Sequence, residues 1–359
     1  MSIVCSAGEK LRFLRVISLV CSDLGLTRKQ HPQSGSKGKM AHLADSEACL
    51  YCKIHAVPID FDGSRSDAFQ FDCLTEGDEE SVLDDVPYQI DLPQDFLAEH
   101  MIALRSGLST ICIRGGRTTR FPNSTIPHQV VIPEGADIEL LPSLDPNEGD
   151  GLGFGNRTVL VVRVSGTSES PYESVEEVAG AVFGLGSQPL ANSMRAQFQR
   201  CSFSKIDFAP ASGFDELYNG VVNVQLDYSL RGRRALQVFG AATEAVGELL
   251  NIRTLSRTFD HVIFCIAKGT TYQRSTEWLA FAHLGGYTSV FNSGRCDSLS
   301  ALMHEIGHNL GLLHSADDII GSAYRDTSGM VSFHWVASSL SRQSTLANNA
   351  SLLLVHFVG

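Results

Sequence analysis

Long apolar runs are missing from this chain. A membrane-spanning helix needs about 20 consecutive apolar residues, and no stretch comes near that, so no transmembrane span is expected. A basic patch or stripe, the footprint of a nucleic-acid binder, is missing as well. The net charge is −12 and unevenly spread. Residues 41–150 carry 6 basic and 21 acidic side chains, whereas residues 151–359 carry 15 and 17. The acidity therefore belongs to one segment, and nucleic acid is not an expected partner. A dinucleotide or phosphate loop is also lacking. Gly151-Leu152-Gly153-Phe154-Gly155 leads into a β-branched run and not into a helix, so no organic cofactor is expected. At the N-terminus Lys10, Arg12 and Arg15 precede Val16–Cys21. That apolar run is short for a secretory leader.

What the chain does have is concentrated in eleven residues, His304-Glu305-Ile306-Gly307-His308-Asn309-Leu310-Gly311-Leu312-Leu313-His314. His304 and His308 are four apart, so on a helix they stack on one face. Both can then reach one zinc ion at about 2.0–2.1 Å. Glu305 follows the first ligand and points to the side of the metal, where it can accept a proton from zinc-bound water. Gly311 lets the backbone leave the helix with positive φ, cheap only for glycine. The turn brings His314 back as third ligand. Three neutral imidazoles leave one coordination position open, which separates a catalytic zinc from a structural one. Ser298 is an N-cap candidate, and Leu299–Met303 supply the apolar approach of a buried helix.

The extended signature resembles that of the metzincin metalloproteases, which carry a methionine-bearing turn beneath the metal. Met330, at the end of Tyr324-Arg325-Asp326-Thr327-Ser328-Gly329, matches that place. The stretch from Val159 to Met330 resembles the gametolysin-type branch, the cell-wall-lytic proteases of green algae and their relatives. The matching pieces are Val159–Val164, Gln197–Ser202, Gly220–Val224, Asp260–Cys265, and Cys296 just before the metal helix. The resemblance implies a secreted zinc endopeptidase made with an N-terminal pro-region. Its expected substrates are extracellular-matrix or cell-wall glycoproteins, bound as extended strands against a sheet edge. An extracellular or cell-wall location and a monomeric state are expected with it. Asn123, Asn156 and Asn349 stand in glycosylation sequons.

With 359 residues, 43% of them hydrophobic, there is room for two domains. Residues 1–85 are rich in Gly, Ser and acidic side chains, and read as a poorly ordered pro-region. Residues 86–145 alternate short apolar runs such as Thr110–Arg114 and Gln129–Ile132 with turn residues, as in a small β-rich pro-domain. Residues 146–156 read as a linker. From residue 157 to 335, strands near 158–164, 206–208, 221–226, 262–266, 279–282 and 287–291 alternate with helices near 174–183, 193–199 and 234–250. That pattern predicts an α/β (α+β) metzincin-like catalytic domain, a twisted mixed sheet feeding a zinc helix. Past Met330, Phe333 and His334 stand near the position where relatives carry a tyrosine. Residues 336–359 are Ser/Asn-rich, and no cysteine follows Cys296.

Nine cysteines leave several assignments open. Cys201, Cys265 and Cys296 lie in the catalytic half, where an extracellular setting favours one bridge. Cys49-Leu50-Tyr51-Cys52 has metal-clasp spacing, but no second pair matches it. A thiol could instead cap the zinc and keep a precursor silent, with Cys73 and Cys112 as candidates. Two functions follow. One is a zinc endopeptidase using His304, His308 and His314 as ligands, Glu305 as general base, and Gly311 and Met330 as structural supports. The alternative is a catalytically impaired zinc-binding or cell-wall interaction protein with a truncated C-terminal subdomain.

Overall fold

The computed structural model describes residues 49–61, 68–75, 87–105, 109–120, 127–141, 155–185, 192–272, 275–292 and 294–312. In chain order the elements of the first part are β1 (Cys49–Phe61), β2 (Ala68–Thr75), β3 (Tyr88–Ile90), α1 (Gln94–Arg105), β4 (Ser109–Arg114), β5 (Arg117–Arg120), β6 (Pro127–Val131) and β7 (Ile138–Leu141). Then follow β8 (Gly155–Ser165), α2 (Val175–Phe183), α3 (Met194–Cys201), β9 (Ile206–Pro210), β10 (Val221–Gln225), α4 (Ala235–Leu250) and α5 (Leu255–Thr258). The last are β11 (His261–Ile266), β12 (Trp278–Ala282), β13 (Thr288–Asn292) and α6 (Leu299–Asn309).

All thirteen strands join one mixed sheet. Strands β10, β8, β11 and β13 lie side by side and parallel, and β12 adds antiparallel to β13. The β8 run Val159–Val164 is apolar at every position but Arg163 because both faces of the strand are covered. Its side chains alternate between two cores. Leu160, Val162 and Val164 join Val238, Phe239, Ala242 and Val246 of α4. Val159 and Val161 join Val178 and Val182 of α2, Phe198 of α3, and Leu302 and Ile306 of α6. Strand β11 repeats the pattern, Val262 and Phe264 facing α4 and Ile263 and Cys265 facing α6.

Beyond β12 the sheet continues into the N-terminal part. The end of β1 pairs with β12, its first half with β4, and its other edge with β2. Strands β3, β6 and β5 extend the sheet, and α1 closes a third core through Phe96, Leu97, Met101 and the buried Leu104.

Two findings depart from the composition-based reading. Residues 1–85 were read as poorly ordered, yet Cys49–Phe61 and Ala68–Thr75 are strands. Lys53, His55, Pro58 and Asp60 break the alternation that would announce β1, and a proline inside a run argues against a strand. The second departure is α1, a helix of 12 residues in the segment read as β-rich. The C-x-x-C spacing is no metal clasp. Residues three apart on a strand project to opposite faces, and Cys49 bonds Cys112 while Cys52 bonds Cys73. Cys73 and Cys112 are thereby excluded as free thiols that could cap a metal. Cys265 bonds Cys296, tying β11 to the segment just before α6. Three disulfides among the described residues mark a chain that matures in an oxidising, extracellular-type compartment. No described helix is long and apolar enough to cross a membrane.

Candidate active site

Helix α6 is buried from Ala301 to Asn309, including four polar residues, His304, Glu305, His308 and Asn309. Burying a polar group without a partner costs a few kcal/mol, so each of these four needs a reason to be there. Spacing i, i+4 brings the His304 and His308 rings to a centroid distance of 4.7 Å, nearly perpendicular. Their Nε2 atoms are 3.1 Å apart. His308 Nδ1 lies 2.7 Å from the carbonyl oxygen of Leu312. That carbonyl can only accept, so Nδ1 carries the proton and Nε2 presents its lone pair inward.

The helix ends in a Schellman motif. The Gly311 N–H donates to His308 O at 2.8 Å and the Leu312 N–H to Gly307 O at 2.9 Å. Gly311 has φ +80°, and a side chain there would meet nothing within 4 Å, so the backbone angle alone requires glycine. The motif also delivers the Leu312 carbonyl to His308. Asn309 staples the helix to the β12–β13 hairpin. Its Nδ2 donates to His283 O at 3.0 Å and to Thr288 O at 2.8 Å. Its Oδ1 accepts from Ser289 Oγ at 2.6 Å. At the other end the Cys265–Cys296 bridge ties β11 to the loop entering α6, and the Cys296 N–H donates to buried Glu173 at 3.1 Å.

Glu305 is wholly buried. Burial first, then the charge of Asp60 and a hydrogen bond with it, push its carboxyl well above the ordinary glutamate range. Asp60 comes from β1, 245 positions before Glu305 in the chain. Its Oδ2 sits 2.9 Å from His304 Nε2, and both side chains are at most 3% exposed. One ligand atom each from Asp60, His304 and Glu305 lie within 4.8 Å of one another.

The Gametolysin peptidase M11 family model matches residues 157–339. The chain belongs to the gametolysin peptidase family. No curated protein matches it, and no solved structure does. As a gametolysin-family metallopeptidase it carries its matched region from β8 through α6 and beyond, while β1 to β7 lie before the match.

The donor set fits the metal that this family implies. Two ligands at about 2.0–2.1 Å from a tetrahedral ion stand about 3.3 Å apart, close to the 3.1 Å between the two Nε2 atoms. Two carboxylates and two imidazoles crowded into a dry site are unfavourable unless a cation or a shared proton offsets the repulsion. The spacing-based ligands His304 and His308 are thus together, with Glu305 beside them. His314 and Met330 lie outside the described residues, as do Asn123, Asn349 and residues 336–359. Two residues at the site had no sequence signal of their own. Asp60 sits in an unremarked Val57-Pro58-Ile59-Asp60 stretch, and Asn309 looked like a spacer inside the zinc signature.

Proposed function

We propose that this gametolysin-family peptidase is a zinc-dependent endopeptidase that cleaves extracellular-matrix or cell-wall proteins, with His304, His308 and His314 as ligands. The observation that carries the reading is the convergence of the His304 and His308 Nε2 atoms at 3.1 Å beside a fully buried Glu305. A zinc ion held there supplies Lewis acidity, polarising the scissile carbonyl and making water acidic enough to attack it near neutral pH. Glu305 takes the proton of the attacking water on its carboxylate and hands it to the leaving amine nitrogen. The Leu312 carbonyl keeps His308 in the tautomer whose Nε2 faces the site. With β1 displaced from it, strand β12 would offer its backbone edge to an extended peptide by β-augmentation. On this reading residues 157–335 are the catalytic domain with Met330 under the site, residues before it are a pro-region that makes the protein a zymogen, and Asn156, exposed in β8, is open to glycosylation.

The test compares zinc content and casein hydrolysis in wild type and Glu305→Ala, each with and without excess chelator. Hydrolysis lost in the variant with zinc retained, and lost in wild type with chelator, supports the endopeptidase. Zinc bound with no hydrolysis by either protein supports instead a zinc-binding or wall-interaction protein. Wild-type hydrolysis unchanged in excess chelator refutes the zinc mechanism.

A further inference from the structure

We propose that strand β1 is a built-in latch: it fills the substrate edge of the catalytic sheet and contributes Asp60 as a further ligand to the metal held by His304 and His308. The inference rests on the metal reading of those two histidines.

Three independent observations lead to it. The first is strand pairing. Without β1, β12 would be the open edge of the five strands β10, β8, β11, β13 and β12. In the full chain Ile59, Asp60 and Phe61 pair antiparallel with Phe281, Ala280 and Trp278, and the Leu284 N–H adds a bond to Ala56 O at 3.0 Å. An edge that is already paired cannot accept a second extended segment.

The second is register. Val57 and Ile59 join the core on the α4 face, so Asp60, one residue on, turns to the α6 face. A slip of one residue would carry its carboxylate to the wrong side of the sheet. In the observed register it reaches His304 Nε2 at 2.9 Å and forms with His304 and Glu305 a group of possible metal donors within 4.8 Å. A carboxylate oxygen is an ordinary zinc ligand at about 2.0–2.2 Å, and a ligand from the protein competes with water for the metal.

The third is anchorage. Strand β1 is bound to β4 and β2 by the bridges Cys49–Cys112 and Cys52–Cys73. It therefore moves as part of the N-terminal layer and not as a loose tail. A buried chain of polar contacts docks that layer on the catalytic sheet. The Tyr272 hydroxyl donates to Gln70 Oε1, Gln70 Nε2 donates to Asp72 at 2.7 Å, and Asp72 meets His283 Nε2 at 3.1 Å. His283 in turn meets the Thr288 hydroxyl. The disulfides also account for Cys73 and Cys112, and among the described residues of β1 to β7 the possible metal donor beside His304 is Asp60. Because β1 precedes the family match at residues 157–339, the latch is a property of this chain's N-terminal part.

The experiment uses the intact chain loaded with cobalt(II), whose visible absorption reports the ligands around it. Wild type, Asp60→Ala and Asp60→Asn are compared. Asparagine keeps the shape of the side chain and hence the β1–β12 pairing, so a folding defect in the alanine variant does not decide the matter. His304→Ala is the control for metal at this site. The same proteins, reloaded with zinc and shown to be uncleaved on a gel, are assayed on casein. Both Asp60 variants are expected to alter the cobalt spectrum, while hydrolysis by the uncleaved chain stays within a few-fold of wild type because β1 still pairs with β12. A spectrum indifferent to Asp60, with cobalt bound through His304, overturns the latch and leaves the peptidase reading standing. An altered spectrum with hydrolysis raised tenfold or more in the asparagine variant overturns the role of β1 in filling the substrate edge. Failure of both wild type and Asp60→Asn to hold cobalt through His304 overturns the metal reading and the latch together.

Discussion

Replacing Asn309 by alanine should destabilise the fold by roughly 3–5 kcal/mol, and the figure can be worked from its three hydrogen bonds. The His283 and Thr288 carbonyls each keep a second donor, from Gly286 N and His283 N respectively. Losing the Asn309 amide therefore costs about 1 kcal/mol at each, the net worth of an ordinary bond. Ser289 is different. It is fully buried, and its hydroxyl spends its donor on Asn309 Oδ1. Orphaning it adds about 1–3 kcal/mol. Asn309→Asp should be at least as harmful: it keeps the Ser289 bond but sets a carboxylate against two carbonyl oxygens. The sharper test is a cycle. Ser289→Ala removes the orphan in advance, so Asn309→Ala in that background should cost about 1–3 kcal/mol less than in wild type. Zinc-free protein with intact disulfides, unfolded in urea and followed by near-ultraviolet circular dichroism, supplies all four free energies. An Asn309→Ala protein within 1 kcal/mol of wild type, or a cycle with no coupling, would refute the view that this side chain fastens α6 to the hairpin.

Other outcomes follow from the same geometry. His308→Ala should lower zinc retention at least tenfold in equilibrium dialysis, and His314→Ala should do the same; unchanged retention in either removes that residue from the ligand set. Serine at both Cys265 and Cys296 frees a loop of 31 residues, which the chain-entropy relation values at roughly 3.5–4 kcal/mol in denaturant titrations; a loss below 1 kcal/mol would count against it. Burial, then the charges of His283 and Lys53, lower the His55 imidazole from 6.5 to about 3. The unfolded chain therefore binds the extra proton between those values, and the stability tied to neutral His55 is complete above pH 6.5 and drains away as pH falls toward about 3. Measured against His55→Phe, wild type should lose roughly 1.4 kcal/mol per pH unit through that window, and a pH-independent difference between the two would contradict it. Asp260 behaves as a depressed carboxylate. Burial opposes its charge, but the Thr158 N–H, the Thr158 hydroxyl and Arg157 outweigh burial. Asp260→Asn should thus lower the melting temperature at neutral pH, with the difference vanishing below the ordinary aspartate range; a difference that persists there would show that charge is not the cause.

Much of the layer from β8 to α6 was legible because local periodicity carries it. The apolar spacing Leu236, Phe239, Ala242, Val246, Leu250 announced α4, and the near-continuous β-branched run Thr158–Val164 announced a strand covered on both faces. The N-terminal layer was not legible for a reason visible in β1. Its polar residues are buried by partners far along the chain, His55 beside His283 and Asp60 beside His304, so its hydrophobic pattern is broken where its burial is most complete. Disulfide pairing was likewise undetermined by spacing, and the Cys49/Cys52 pair divided between two partners once the pleat turned them to opposite faces.

The amino-acid sequence by itself determined the chemistry available on α6. Residues four apart on a helix must share a face, a glycine must take the left-handed turn, and a carboxylate next to the first imidazole must lie beside whatever the pair holds. Only the tertiary structure decided what that face meets. Strand order and register are set by contacts across hundreds of residues, and these alone bring an acidic side chain from β1 onto His304 and close the edge of β12.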